Sequence, residues 1–249
     1  MQFNPKISII TVVYNAKSLI ERTIKSVLSQ SYTNIEYIII DGASSDGTLE
    51  LAEKYQHDIA VILSGKDNGI YDAMNKGLAT ATGDYVLFLN AGDELYSNDI
   101  IESVVALGDA DVYYGNTAVV NEQGLVLGDR RLSPPEQLDW KSLKFGMCVS
   151  HQSFIAKRSL CEKYNLKYAV SADIDWVIEV LKKSNKIVNT KNYISKFLAG
   201  GTSNKRRKVA LGERFLIMSH HYGFFQTVIN HFYILLRFPF HKVSKKSMT

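Results

Sequence analysis

The chain has 249 residues, 46% of them hydrophobic, and a formal net charge of +4. That length and apolar content suit one large α/β domain, with or without an appended segment, and argue against general disorder. The charge is too mild to point to nucleic acid, and no uninterrupted apolar run reaches the roughly 18 residues of a spanning helix.

In chain order, Lys6 to Tyr14 is rich in isoleucine and valine and reads as a buried strand. Asn15 is placed to cap a helix from Ser18 to Gln30, where Leu19, Ile20, Ile24, Val27 and Leu28 recur at helical spacing. Ile35 to Ile40 is the next strand and runs into Asp41-Gly42-Ala43-Ser44-Ser45-Asp46-Gly47-Thr48. A short helix follows over Thr48 to Tyr55, then a strand over Ile59 to Leu63, a helix over Ile70 to Thr80 and a strand over Tyr85 to Leu89. Asn98 to Leu107 is helical again. Strands alternating with helices predict βαβ units and a mostly parallel sheet with helices on both faces.

After Asp111 the pattern changes. Val112 to Val120 and Leu125 to Leu127 flank Asn121-Glu122-Gln123-Gly124 and predict a hairpin. Ser153 to Ala156 reads as a strand and Asp173 to Lys183 as a helix, with Trp176, Val177, Val180 and Leu181 on one face. Gly200 to Ser203 breaks the chain before a basic helix starting near Arg206. The expected organisation is one domain over residues 1–204, with halves at about 1–110 and 111–204, and a basic, aromatic-rich helical segment over 205–249. Cys148 and Cys161 lack metal-ligand spacing and read as reduced thiols of a cytosolic protein, and Met1 to Lys6 shows no apolar leader region.

Two acidic loops carry the functional signal. In open α/β sheets ligands gather at the carboxyl ends of strands. Asp41 leaves one such strand and is expected to accept hydrogen bonds from a base or ribose, whereas Asp46 is expected to cap a helix. Asn90-Ala91-Gly92-Asp93 leaves the other. Magnesium and manganese take hard oxygen ligands, and a protein often supplies only one or two carboxylates while phosphates complete the shell. Asp93, with Asn90 beside it, is therefore the candidate metal ligand, a tight turn being the plainer reading. Asp67, Asn68 and Asp72 either cap the following helix or, with Lys76, line a nucleotide site. Asp173 and Asp175 open a helix, one as cap and one as general base. His151, Gln152, Gly201 and Thr202 are weaker polar candidates.

Taken together, these segments resemble the inverting family 2 glycosyltransferases of the nucleotide-sugar-dependent GT-A fold. The resemblance runs in order through Ile7 to Asn15, Asp41 to Thr48, Gly69 to Gly77, Leu89 to Asp93, His151 to Ser153 and Ser171 to Asp175. The Gly69 to Gly77 run looks like the branch that builds bacterial exopolysaccharide, colanic-acid-like or O-antigen repeat units. The resemblance implies a Rossmann-like, mostly parallel sheet. It implies nucleotide contacts at Thr11, Val13, Tyr14, Asn15, Asp41, Asp67, Asn68, Asp72 and Lys76. It also implies a divalent cation, Mn2+ or Mg2+, at Asp93 with Asn90, a residue that departs from the family's first acid. Asp173 matches the catalytic aspartate of a Glu-Asp pair whose first member is Ala172 here, with Asp175 as the competing base. Sugar or acceptor contacts fall to His151, Gln152, Gly201 and Thr202.

The implied donor is a nucleotide sugar, UDP-linked by family frequency. The implied acceptor is a glycan or a polyprenyl-pyrophosphate-linked sugar, at the cytoplasmic face of the inner membrane. The interrupted aromatic, basic stretch from Tyr222 to Phe240 suits a peripheral contact with an anionic membrane or, equally, a packing or dimer-forming helix. A sugar-1-phosphate nucleotidyltransferase is the main alternative, but Thr11 to Ala16 is not its glycine-rich, arginine-containing loop. A non-catalytic assembly subunit is a third reading. A dehydrogenase is disfavoured, because no Gly-x-Gly-x-x-Gly follows the first strand.

Overall fold

The first strand, β1 (Ile7–Val13), is buried along its whole length and forms the spine of the molecule. In the computed structural model, which describes residues 3–200 and 206–237, β1 pairs in parallel with β2 (Ile35–Asp41) on one side and β4 (Tyr85–Phe88) on the other. β3 (Val61–Ser64) joins β2 in parallel. The helices α1 (Lys17–Leu28), α2 (Thr48–Glu53) and α3 (Ile70–Thr80) make the crossovers. Strand side chains alternate between faces. Ile10 and Val12 join α3 in one apolar cluster, while Ile7, Ile9 and Val13 join Ile20, Ile24 and Val27 of α1 in the other.

Gly77 shows how closely α3 lies on the sheet. A Cβ there would come within 2.4 Å of Ile10 Cγ2 and 3.3 Å of Ile40 Cγ1. The neighbouring Asn75 clasps the Tyr164 backbone, donating from Nδ2 to its carbonyl at 3.0 Å and accepting its N–H at 2.6 Å. Packing and clasping thus account for the polar, glycine-bearing end of this helix.

Past β4 the sheet becomes mixed, mostly antiparallel but with the strand Ile187–Leu198 parallel to the strand Val112–Val120. β5 (Glu94–Leu95) and α4 (Ile100–Val105) lead to the hairpin β6 (Val112–Val120) and β7 (Val126–Asp129), as the sequence predicts. β8 (Phe154–Lys157) pairs antiparallel with both β4 and β6 and so welds the two halves together. Next come α5 (Ala172–Lys183) and β9 (Ile187–Leu198), then α6 (Arg207–Tyr222) and α7 (Phe224–Arg237). The strand order is β3-β2-β1-β4-β8-β6-β9-β5, with β7 on β6. β9, parallel to β6, and the two-residue β5 are absent from the sequence reading. The predicted helix over Asn98 to Leu107 shrinks to α4, and the predicted strand over Ile59 to Leu63 shifts to β3. Cys148 and Cys161 are free thiols, with burial pushing them up to about 11 and about 12. Among the described residues no helix is long and apolar enough to cross a membrane. The expected boundary near residue 204 lies outside the described residues.

Candidate active site

The carboxyl ends of β1, β2 and β4 share one edge of the sheet. There the loops after β1 and β2 lock together. Asn15, at φ 47°, accepts from Ser45 N–H at 2.9 Å and donates its own N–H to Ser44 Oγ at 2.8 Å. Its side chain is therefore not the cap of α1 that the sequence suggests, and Ala16 holds the cap position. Asp46 does act as a capping acid, accepting from the N–H groups of Lys17 at 3.1 Å and Thr48 at 3.0 Å. Thr11 lies under this edge with its hydroxyl spent inside the sheet, donating to Leu89 O at 2.7 Å. Val13 is buried beside it, and Tyr14 is 66% exposed.

Asp41, 1% exposed, uses Oδ2 to accept from Ser44 N–H at 3.0 Å and Ser64 Oγ at 2.6 Å. Its Oδ1 is buried with no hydrogen-bond partner among the described residues. A buried acceptor without a donor is costly, so this atom suits a ligand's N–H or O–H. Asp67 closes the same corner. A Cβ on Gly42 would meet Asp67 Oδ2 at 2.5 Å and the Tyr14 ring at 3.3 Å, so only glycine lets these three residues converge. Asp67 Oδ1 accepts from Gly69 N–H at 2.9 Å, and Asp72 accepts from Asn68 N–H at 2.9 Å. Lys76 reaches Lys66 O at 2.7 Å and Asp72 at 3.6 Å, which ties it to its own loop.

Asp93 is 4% exposed. Its Oδ1 accepts Leu198 N–H from the end of β9 at 2.9 Å, and its Oδ2 accepts Gln152 Nε2–H at 2.7 Å. Burial pushes its carboxyl up to about 6 despite these donors. Each oxygen keeps a second lone pair, and Asn90 Oδ1 nearby in the loop is a buried acceptor with no partner among the described residues. No group of three or more His, Cys, Asp or Glu side chains that would suit a metal occurs among the described residues. The donor set therefore fits a hard divalent cation only if a phosphate ligand supplies most of the shell.

His151 connects this edge to Asp173. Its Nε2 lies 3.2 Å from Asn90 Nδ2 and its Nδ1 lies 3.4 Å from Asp173 Oδ2. Asp173 Oδ1 accepts from Tyr71 Oη at 3.1 Å. The Tyr71 ring is fixed by stacking on Tyr164, which stacks in turn on Trp176. Burial alone would raise the Asp173 carboxyl, but His151, Tyr71 and the Arg214 charge outweigh it and hold the group below the ordinary aspartate range. Arg130 also faces Asp173 electrostatically, and burial lowers its guanidinium. Arg130 Nη1 and Arg214 Nε are buried donors with no partner among the described residues. Asp175 points elsewhere, since residues two apart on a helix diverge. It pairs with His221 Nε2 of α6 at 2.6 Å. Gly201 and Thr202 lie outside the described residues.

A contact chain therefore runs from Asp93 through Gln152 to the adjacent His151, then to Asp173 and Tyr71 on α3. The start of α3 abuts Asp67 and the Asp41 loop. Arg130 and Arg214 were missed in the sequence. A positive charge next to a hairpin or within a basic helix carries no local mark of its distant acidic partner.

The glycosyl transferase family 2 model matches residues 8–164, more than half of the chain, which includes the strand-end acids Asp41 and Asp93 but not the helix-start Asp173. The chain belongs to glycosyl transferase family 2. As a family 2 glycosyltransferase it is a sugar-transferring enzyme. It is 31% identical over 184 residues to a PGL/p-HBAD biosynthesis glycosyltransferase of Mycobacterium tuberculosis, covering 70% of this chain and 69% of that one. It is 32% identical over 143 residues to the putative teichuronic acid biosynthesis glycosyltransferase TuaG of Bacillus subtilis, covering 55% and 56%. In fold, this glycosyltransferase resembles S. aureus TarS 1-349 in complex with UDP, with a TM-score of 0.68 at 15% identity over 96% of this chain and 73% of that one. It also resembles the mannosyltransferase PcManGT from Pyrobaculum calidifontis in complex with GDP-Man and Mn2+, with a TM-score of 0.62 at 18% identity over 95% and 71%.

Proposed function

We propose that this family 2 enzyme transfers a sugar, with inversion, from a nucleotide diphosphate donor to a hydroxyl of a glycan or lipid-linked glycan of the bacterial surface. The observation that carries the reading is Asp173, a half-buried carboxylate kept ionised by His151, Tyr71 and Arg214. An ionised, sequestered carboxylate can take a proton. Asp173 removes it from the acceptor hydroxyl, whose oxygen bonds to the anomeric carbon from the face opposite the leaving group. The bond from that carbon to the diphosphate oxygen breaks, and its electron pair departs with the diphosphate. The unpartnered N–H groups of Arg130 and Arg214 suit an anionic group entering beside Asp173. Asp41 Oδ1 takes the base or ribose donor, with Asp67, Asn68, Tyr14 and Asn15 around it. Thr11 and Val13 contribute backbone position. Asp72 and Lys76 shape the loop.

A divalent cation, Mn2+ or Mg2+, would be held by Asp93 with Asn90, and when bound it supplies counter-charge to the diphosphate. UDP is the favoured nucleotide, in keeping with the UDP held by the TarS fold neighbour, while PcManGT holds GDP-Man with Mn2+. The curated relatives' names support a surface glycan. The exopolysaccharide-type branch rests on the Gly69 to Gly77 run alone. We place the enzyme in the cytoplasm, at the inner face of the membrane.

The test is a thermal-shift panel of nucleoside diphosphates with and without Mn2+, run on wild type and Asp173→Asn. One base should stabilise both proteins. Sugar transfer or donor hydrolysis should fall by about 10²- to 10⁴-fold in the variant alone. Wild-type turnover in Asp173→Asn would overturn the assignment of the base.

A further inference from the structure

The helix α6 grips the segment that presents Asp173. Glu213, 8% exposed, accepts three consecutive backbone N–H groups from the turn before α5. Ala169 donates to Oε1 at 2.7 Å, and Val170 and Ser171 donate to Oε2, each at 2.9 Å. Ser171 also donates its hydroxyl to Ala210 O on α6 at 3.4 Å. The turn needs this help. Ser171 sits at the cap position of α5 without a side-chain cap hydrogen bond, and Val170 and Ser171 are buried away from water. Three backbone donors facing one carboxylate form charge-assisted bonds, roughly twice as strong as neutral ones.

Two residues beyond that turn lies Asp173. On its other side, Asp175 is pinned to His221 of the same α6 at 2.6 Å. Arg214, next to Glu213, directs its positive charge at Asp173. α6 therefore fixes the backbone before Asp173, holds Asp175 two residues after it and directs a positive charge at Asp173 itself. None of this machinery lies within the residues that the family model matches, which end at 164.

We infer that Glu213 is a positioning residue for sugar transfer, clamping residues 169–171 so that Asp173 meets the acceptor hydroxyl in a reactive geometry. This rests on the assignment of Asp173 as base. Glu213 itself touches neither donor nor acceptor. Its loss should slow turnover while leaving the nucleotide site at Asp41 intact. A glutamine keeps the shape but puts an N–H group where one backbone donor expects an oxygen. An aspartate keeps the charge on a shorter stem.

The test compares full-length Glu213→Ala, Glu213→Gln, Glu213→Asp and Asp173→Asn. The readouts are steady-state hydrolysis of a nucleotide sugar bearing the base selected by the thermal-shift panel, calorimetric binding of that nucleoside diphosphate, and amide hydrogen exchange over residues 169–171. The expected result is a fall in kcat of about 10- to 100-fold in Glu213→Ala, the scale of a misplaced reacting group. Glu213→Gln should show a smaller fall and Glu213→Asp a partial recovery, with KM and nucleotide affinity within about twofold of wild type and faster exchange at 169–171. Wild-type kcat in Glu213→Gln and Glu213→Ala would overturn the inference, as would KM and nucleotide affinity worsening in step with kcat. Should Glu213→Ala fail to fold, Glu213→Gln alone decides by the same criteria. An active Asp173→Asn would instead sink the base assignment, whatever the Glu213 variants do. An inactive Asp173→Asn beside fully active Glu213 variants would sink only the positioning role.

Discussion

Glu36 offers the sharpest test of what holds the sheet together, because it sits at the end of the strands away from the site. Its carboxylate ties three segments. It accepts from Lys6 Nζ at 2.8 Å, Ser8 Oγ at 2.6 Å, Thr82 N–H at 2.7 Å and Thr82 Oγ1 at 2.5 Å. Burial opposes ionisation here, but the four donors prevail and bring the carboxyl from 4.5 down to about 2. A depressed carboxyl adds stability that is fully present above its unfolded value and is lost as pH falls through its folded value. The shift of about 2.5 pKa units corresponds to roughly 3 kcal/mol, at 1.36 kcal/mol per unit. Glu36→Gln should therefore lose about 3 kcal/mol at pH 7. The gap from wild type should close between pH 4.5 and pH 2. Urea unfolding of both proteins at pH 7, 4 and 2.5 measures it. Activity of the folded variant should match wild type. A gap under about 0.5 kcal/mol at pH 7, or one that ignores pH, would refute the argument.

Three further outcomes follow from other parts of the structure. Gly77→Ala gains about 1 kcal/mol of helix propensity but drives a methyl group into Ile10, so a net loss of about 1–2 kcal/mol is expected in chemical denaturation. Asp93, raised to about 6 by burial, takes up its proton below that pH. Affinity for Mn2+ with the selected nucleotide should weaken about tenfold per unit below pH 6, and apo stability should decline as pH rises from about 4 to 6, both by calorimetry and both absent in Asp93→Asn. On α7, Thr227 and Asn230 are buried while Phe225, Ile229 and Phe232 are exposed, Phe225 by 82%, with exposed Arg206, Arg207 and Lys208 at the start of α6. This inverted amphipathicity predicts flotation with anionic liposomes that is lost in a Phe225→Ser, Ile229→Ser, Phe232→Ser triple variant and unchanged in Glu36→Gln.

The parallel half of the fold was legible because β1, β2 and β4 are continuous apolar runs closed by aspartate, asparagine and glycine, a pattern that local chemistry alone produces. β9 was not. Its residues Ile187 to Leu198 mix polar and apolar side chains, its Lys191 adopts φ 59°, and its pairing with β6 shifts register around Asn116. Such a strand exists because β6 is there to receive it. The site divides in the same way. Asp41, Asp93 and Asp173 announce themselves at strand and helix ends. The different surroundings of Asp175 and Asp173 come from His221 for the first and from Glu213 and Arg214 for the second, all on a helix that sequence marks only as basic. The polar run at Asn75 and Lys76, which suggested a lined site, is explained largely by the Tyr164 clasp and the Lys66 carbonyl.

The order of strands also bears on how the protein comes into being on the ribosome. β1 to β4 can pair among themselves once residue 88 has emerged, but the outer edge of β4 then stands open until β8 arrives at residues 154–157. An open edge is a template for pairing with other chains, so a nascent protein halted in this interval is prone to clump with its neighbours. Asp93 waits longer still, since its Oδ1 partner is Leu198. The loop that carries Asp93 is thus closed only after β9 has been made, so a half-made chain leaves that carboxylate open to water.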